Sequence, residues 1–416
     1  MFRHMYKMLL RNMRKNILLT SQFTLAIIAL IMFMIEAVNI IKSLTLDLGY
    51  KVDRLIVGEV SGLWDVKTKD VFTENYAALK SAMDDLQKQD FVESAGYMLY
   101  HPYSGSNWDS WGHSINFMTI DAQKTLDFKL LYGEFFTEQD EYSPNNYCII
   151  NLESYNEFKK VDPEPLGKNF HELQLALSKQ DPDFEEREDH EEPPPLIIKG
   201  VIQNFHMMGR YNHWTSKQRI GQTFYSNLDK YSKDEWGDIT RMHSFIVRIK
   251  PGENQLDAKF KVFNIMNSHL IGKNLTIESC ELLEEVQSRE PMARFYILLF
   301  VSFMLILIIT VGIYGISKEN VTKRIREIGI RIAFGGTEKQ VFKQMIYEYG
   351  ILSGLSIIVS VLLMFVMDWT GIYSYQFGIY ETLLAIVIQW IVIFLSIANT
   401  IKSATVMRPN VALHYE

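Results

Sequence analysis

Four apolar runs, at residues 16–41, 295–316, 349–367 and 382–401, constrain this 416-residue chain more than any other feature. Each approaches the roughly 20 residues that a helix needs to cross about 30 Å of hydrocarbon. The mean hydropathy of -0.03 would suit a soluble protein, but it averages these runs with a long polar stretch between the first two. Four membrane-spanning helices are therefore expected.

Basic residues precede the first run, as they would in a signal peptide, but its core is too long and "FMIEAVNIIKS" offers no small-x-small cleavage site. An uncleaved anchor is the expectation. Glu36 falls inside this run and reads as an end-of-helix carboxylate reaching the outer interface rather than as part of an ion pathway.

Sidedness follows from the basic residues near the membrane. The leader "MFRHMYKMLLRNMRKN" carries Arg3, Lys7, Arg11, Arg14 and Lys15 with no acid, residues 317–343 carry seven basic residues, and the tail adds Lys402 and Arg408. These three segments belong in the cytoplasm. The aromatic turn "DWTGIYSYQFGIYE" has neither Lys nor Arg and belongs outside. The expected fold is thus a membrane protein with four transmembrane α-helices and a large α+β extracytoplasmic domain inserted between helices 1 and 2. The expected division is a cytoplasmic amphipathic helix at 1–15, helix 1 at 16–41, the outer domain at 42–293, helix 2 at 294–316 and a cytoplasmic elbow at 317–348. Helix 3 at 349–367, a short outer loop at 368–381, helix 4 at 382–401 and a cytoplasmic tail at 402–416 complete it.

The outer segment holds about 41 acidic and about 27 basic residues, so the net charge of -7 conceals an acidic exterior and basic inner loops. An acidic exterior argues against nucleic acid as a partner. The chain's two cysteines, Cys148 and Cys280, both lie in this segment. An oxidising compartment would permit a bridge, but Cys148 in "NNYCIIN" reads as a buried strand residue and Cys280 as a strand-to-helix junction residue, so two buried thiols are expected.

In "TENYAALKSAMDDLQKQ", Tyr76, Leu79, Met83 and Leu86 recur at threes and fours and predict one apolar stripe on a helix. "SFIVRIKPG" alternates and predicts a half-buried strand, with Phe245, Val247 and Ile249 on one face and Ile246, Arg248 and Lys250 on the other. Helical spacing returns through Leu256, Phe260, Phe263 and Leu270, and "NLTIESC" follows as another strand, a sequence that suits a split βαβ layer. The stretch "LSKQDPDFEEREDHEEPPP" reads as an exposed acidic loop. A metal site at Asp189, His190, Glu191 and Glu192 is disfavoured, because consecutive residues rarely aim at one ion, and the spacing of His206 and His213 fits no regular ligand pair.

No catalytic signature is legible. "EPLGKNF" and "LIGKNL" place Asn after Gly-Lys and lack the hydroxyl that a phosphate-binding loop uses for magnesium, and there is no G-x-S-x-G, H-E-x-x-H or C-x-x-C. The chain is expected to be no enzyme and to hold no cofactor or metal. If ATP is used, another chain binds it.

The segment "KRIREIGIRIAFGGTEKQVF", residues 323–342, is basic, carries two adjacent glycines and then turns amphipathic. Nothing after Gly315 breaks the second span until those glycines, so helix can run on into the cytoplasm. Glu327 with Arg331, and Lys323 with Glu327, stand four apart on its surface. Gly335 and Gly336 suit a left-handed helix end, and Thr337 can cap the helix that leads into the third span. From pattern alone this is either a helix-turn-helix elbow or a charged interfacial hairpin satisfying the positive-inside rule.

"REIGIRIAFGGTEKQV" resembles the R-E-I-G-I-R-x-A-x-G-A segment of MacB/FtsX-type ABC transporter permeases. "YKMLLRNMRKN" resembles that family's amphipathic N-terminal helix, and "ATVMRPNVALHYE" its ending, A-x-x-x-P-x-x-A-L-x-Y-E. "LLYGEFFTEQD", "PLGKNF" and "IKGVIQNFH" resemble phrases of the MacB-like periplasmic domain, and the order of one span, large outer domain and three spans is also the family's. Gly336 replaces the usual alanine and Ile332 a frequent lysine, and there is no fused nucleotide-binding domain, so the likeness is to separate permeases.

The resemblance implies a bacterial inner-membrane, multi-pass permease with cytoplasmic N- and C-termini and a periplasmic domain. Its implied partners are an ABC ATPase subunit, a second permease copy or paralogue, membrane lipid and a periplasmic protein, without nucleic acid. The elbow would dock on the ATPase and relay its closure outward, a mode called mechanotransmission. Arg326, Glu327, Gly329, Arg331, Ala333, Gly335 and Gly336 are the implied ATPase-coupling residues, with Glu327 and Arg331 for polar contact and the glycines for close approach and the turn. Export or efflux is the leading function. An FtsX-like regulator of a periplasmic cell-wall hydrolase and a membrane sensory receptor are the alternatives.

Overall fold

The computed structural model describes residues 13–61, 69–104, 107–108, 114–143, 145–180, 195–211, 218–222, 244–333, 338–370 and 378–405. The chain divides into two compact units, one made of Met1–Ser43 with Glu290–Glu416, the other of Leu44–Arg289. The leader to residue 12, the acidic stretch 181–194 with Asp189, His190, Glu191 and Glu192, His213, Thr337 and the tail from residue 406 lie outside the described residues.

A first helix, α1 (Met13–Thr45), precedes the strands and helices of the second unit. These run β1 (Leu55–Ser61), α2 (Lys69–Gln87), β2 (Val92–Met98), β3 (Asn107–Trp108), β4 (Ser114–Met118), α3 (Ile120–Leu126) and β5 (Leu130–Gly133). They continue with a 3-10 turn at Glu138–Tyr142, β6 (Asn146–Asn151), α4 (Leu152–Phe158), α5 (Phe170–Ser178), β7 (Leu196–Ile202) and β8 (Gln218–Gln222). β9 (Ser244–Ile249), α6 (Gln255–His269) and β10 (Asn274–Ser279) close the unit.

All ten strands form one sheet in the order β10-β1-β9-β2-β4-β8-β6-β7-β5, with β3 on β4. Its first four strands are antiparallel neighbours, and α2 and α6 are the connections from β1 to β2's side and from β9 to β10. This is the split βαβ arrangement, interrupted in sequence between β2 and β9 by the residues that build the other half of the sheet. Met98 pairs with Met118 where the halves meet, and the Asn116 amide bonds to the backbone of Tyr100 beside them.

α2 buries Leu79, Met83 and Leu86 against Ala95, Phe245, Val247 and Ile249, as its spacing predicts. α6 packs on the same layer through Ala258, Val262, Met266 and Leu270, whereas Leu256, Phe260 and Phe263 are exposed. The predicted stripe on α6 is therefore mostly the outward one. The inward face is read less easily because its first two turns use the smaller Ala258 and Val262, while the larger Leu256, Phe260 and Phe263 stand outside.

β9 also departs from expectation: every one of its residues is buried, on both faces. Ile246 packs with Met98, Met118, Ala122 and Leu126, so α3 covers the side that alternation assigned to solvent. Arg248 is retained there because acceptors surround it. Its Nε and Nη2 donate to the Thr125 carbonyl at 3.1 and 2.7 Å, Nη2 also to that of Lys51 at 2.8 Å, and Nη1 to that of Asp53 at 2.6 Å. Thr125 lies in the last turn of α3, where carbonyls lack helical donors, so the guanidinium satisfies them. Cys148 in β6 and Cys280 are buried thiols that are not bridged to each other.

The other unit contains α1 up to Ser43 and, from Glu290 on, α7 (Cys280–Ala333), with α8 (Glu338–Trp369) and α9 (Ile379–Thr405). Four segments of these helices, Ile17–Thr45, Cys280–Ile316, Tyr349–Met367 and Ile379–Ser396, are long and apolar enough to cross a membrane. Phe23, Ile27 and Ile31 of α1 are fully buried, in clusters with Ile309 and Ile313 of α7, Leu352 and Met364 of α8, and Ala385 and Ile393 of α9. Large apolar side chains such as Phe300, Leu362 and Phe365 face outward, as suits a lipid solvent. The chain is thus a membrane protein with four span-length helices and an α/β domain between the first and second.

Glu36 corrects the sequence reading. It does not reach an interface but is 2% exposed, with its Oε1 3.2 Å from Nε of Arg294 on α7. A carboxylate so far from water persists when a cation of the neighbouring helix lies against it.

Candidate functional site

Two adjoining pieces of the membrane unit bear on function: the ends of α7 and α8 that flank residues 334–337, and the contacts that hold the bundle behind them.

α7 carries its helix through "KENVTKRIREIGIRIA" and ends at Ala333, and α8 begins at Glu338. Gly335 and Gly336 themselves lie outside the described residues. Arg326, Glu327, Gly329, Arg331 and Ala333 all fall on the last turns of α7.

Behind this segment, α8 presents buried serines to α1. Ser356 Oγ donates to the Thr20 carbonyl and Ser360 Oγ to that of Thr24, each at 3.1 Å. Donor and acceptor advance together by four residues, so α1 and α8 run parallel, as the first and third of four alternating spans must. Ser302 Oγ of α7 donates to the Ala29 carbonyl of α1 at 3.0 Å. Each hydroxyl adds a polar tie where no water competes, and its small size lets the helices approach. Sequence reasoning missed these ties, although Ser353, Ser356 and Ser360 recur at helical spacing in an apolar run and could have signalled a packed face.

Among the described residues no group of three or more His, Cys, Asp or Glu side chains is placed to hold a metal. Cys280 is fully buried and packs as a core residue.

Residues 299–406, from the second span to the end of the fourth helix, match the model of the FtsX-like permease C-terminal family. No curated protein sequence matches the chain. Among solved structures, the periplasmic region of MacB from Actinobacillus actinomycetemcomitans is similar at 14% identity and a TM-score of 0.34, covering 60% of this chain and 98% of that one. The extracellular domain of the noncanonic ABC-type transporter YknZ from Gram-positive bacteria is similar at 13% identity and a TM-score of 0.32, covering 54% of this chain and 99% of that one. Residues 299–406, which hold the last three span-length helices and the predicted coupling sequence, thus carry the likeness to the FtsX-like permease C-terminal family.

Proposed function

We propose that this permease is the membrane subunit of an ATP-driven export complex in a bacterial inner membrane and works by mechanotransmission. The observation that carries the reading is α7: one helix of 54 residues contains a membrane span and ends in the coupling sequence. At 1.5 Å per residue it is about 80 Å long, and from Pro291 to its coupling end its hydrogen-bonded backbone is stiff enough to pass on a push.

In this reading a separate ABC ATPase binds and hydrolyses ATP in the cytoplasm. Its groove receives the elbow formed by the end of α7 and the start of α8, where Arg326, Glu327 and Arg331 provide polar contacts. Gly329, Ala333, Gly335 and Gly336 allow close approach and the turn. Both termini lie in the cytoplasm and the α/β domain in the periplasm, a sidedness supported by the basic residues of the leader, elbow and tail. A second permease copy or paralogue and a second ATPase complete the assembly. The substrate, or a periplasmic partner that presents it, meets the outer domain. Few ionisable side chains interrupt the spans, which favours work on cargo already outside the bilayer over conduction through it.

Control of a periplasmic cell-wall hydrolase would use the same elbow and differ only in what the outer domain grips. Purification of the full-length chain in mild detergent, with identification of what stays bound, separates the two: a transported substrate or its carrier supports export, a hydrolase supports control. Glu327→Arg should abolish retention of the ATPase while leaving membrane insertion intact. Retention equal to the parent chain would remove the elbow as the docking site.

A further inference from the structure

Residues 203–210 leave β7 and run as a loop, yet they are anchored along their whole length. On one side they hold the segment that follows α1. Gln203 Nε2 donates to Asp47 Oδ2 at 2.5 Å, the His206 amide to the Leu48 carbonyl at 3.0 Å, and Arg210 Nη1 to the Leu46 carbonyl at 3.3 Å. In return the Tyr50 hydroxyl donates to the His206 carbonyl at 3.1 Å. On the other side they hold the opening turns of α7: Arg210 Nε lies 2.5 Å from Glu284 Oε1, and Gln287 Nε2 donates to the Met208 carbonyl at 2.7 Å. Phe205 and Met207 are buried between these bonds.

Two glycines make the fit tight. Gly49 and Gly209 both have positive φ, at 76° and 85°. A Cβ at Gly49 would overlap the Asn204 carbonyl, and one at Gly209 would overlap the Gln287 amide and the Tyr103 ring. The Asp47 carboxyl is held below its usual range by the Gly49 amide first and by Gln203 second, so its end of the contact stays charged at neutral pH.

We infer that residues 203–210 are a strap that fixes the segment after the first membrane-spanning helix to the first turns of α7, so that displacement of either is passed to the other. Its use, though not its existence, rests on the transmission proposed above. The position of Pro291 agrees with this role. Proline has no amide hydrogen, so the Gln287 carbonyl lacks its helical donor and α7 bends most readily just beyond the strap's last anchor. Bending there would be wasted unless the turns before it were held, and Glu284 and Gln287 are the residues held.

Spin labels on Leu44→Cys and Glu285→Cys, both at exposed positions, test the strap in the full-length chain in detergent. Cys148 and Cys280 are buried and escape labelling. With the strap intact the pair should give one narrow distance distribution. Arg210→Met with Gln287→Met, which keep length but remove the links to α7, should broaden it at least about twofold and raise amide exchange at His206 about tenfold. A distribution as narrow as the parent's, with β9 amides still protected, overturns the strap. Where β9 protection falls in the double variant, the Gln287→Met chain is judged by the same criterion. No ATPase is present in this measurement, so a negative result indicts the strap alone. Broadening that leaves ATPase coupling intact upholds the strap and counts against transmission.

Discussion

Arg294 of α7 sets its Nε 3.2 Å from the Glu36 carboxylate of α1, and the two partners differ in exposure, at 41% and 2% of their side chains. Arg294 also donates to Glu290 Oε1 at 2.8 Å, so its charge has a second partner and access to solvent. Truncation should therefore be asymmetric. Arg294→Leu leaves a carboxylate in the protein interior without its cation and should cost about 3 kcal/mol. Glu36→Gln keeps the shape and leaves an arginine that can turn outward, at about 1 kcal/mol. Thermal unfolding of the full-length protein in detergent checks the order of the two variants. Equal losses would mean that the pair contributes little.

Arg248 poses the opposite case, a buried cation held by neutral carbonyls rather than by a buried carboxylate. Burial lowers its affinity for the proton, but the guanidinium remains charged and uses four of its donors on Thr125, Lys51 and Asp53. Arg248→Met fills similar volume and strands those carbonyls, so a loss of about 3 kcal/mol is expected. Arg248→Lys restores charge but cannot reach three backbone sites at once and should recover less than half of it. Chemical denaturation followed through the outer domain's tyrosine and tryptophan signals reads both.

The same residue shows where sequence legibility ends. The spans were legible because about 20 apolar residues in a row have few folded alternatives in water. The α2 stripe was legible because Leu79, Met83 and Leu86 are large. β9 was misread because a polar residue at an alternating position normally marks solvent, and only the tertiary placement of α3 shows that Arg248 meets carbonyls instead. α6 was misread for the mirror reason: its outward Leu256, Phe260 and Phe263 outweigh its inward Ala258 and Val262 in any hydrophobic count. Of the predicted coupling set, the pattern located Arg326 to Ala333 on one helix end. In the proposed reading what they touch lies on a second chain, which no periodicity encodes.

Asp140 should give the outer domain part of its acid sensitivity. Burial on its own would raise the Asp140 carboxyl, but hydrogen bonds from Lys199, at 2.6 Å to Oδ1, and from the Thr137 amide and hydroxyl outweigh it and hold the group below its ordinary value. A carboxyl depressed in the folded state adds stability above the unfolded value of about 4 and loses it as pH falls through the folded value. Asp140→Asn should therefore cost about 2 kcal/mol at pH 7, because Lys199 is only 13% exposed and keeps just the exposed Glu134 carboxylate, at 3.9 Å, as its counter-charge. The gap between variant and parent should narrow steadily below about pH 4. A gap independent of pH from 7 to 3 would place the effect in shape rather than charge.

The serine contacts between α1 and α8 make the final prediction, and they separate hydrogen bonding from close packing. Ser356 and Ser360 are fully buried, and the single hydrogen of each hydroxyl is shared between the α1 carbonyl and the carbonyl four residues earlier in its own helix, Leu352 and Ser356, at 2.8 and 2.7 Å. Loss of the interhelical half of each bond therefore removes little. Ser356→Ala and Ser360→Ala should cost about 0.6 kcal/mol apiece, the usual scale for hydrogen bonds between membrane helices. Ser360→Leu adds three carbons to a face with no free space, and overpacking of this kind costs about 1–3 kcal/mol. The leucine variant should thus melt well below the alanine variant in detergent, even though both lack the hydroxyl. Were Ser360→Ala the more damaging of the two, α8 would be held to α1 by its hydroxyls, and the small size of its buried face would be incidental.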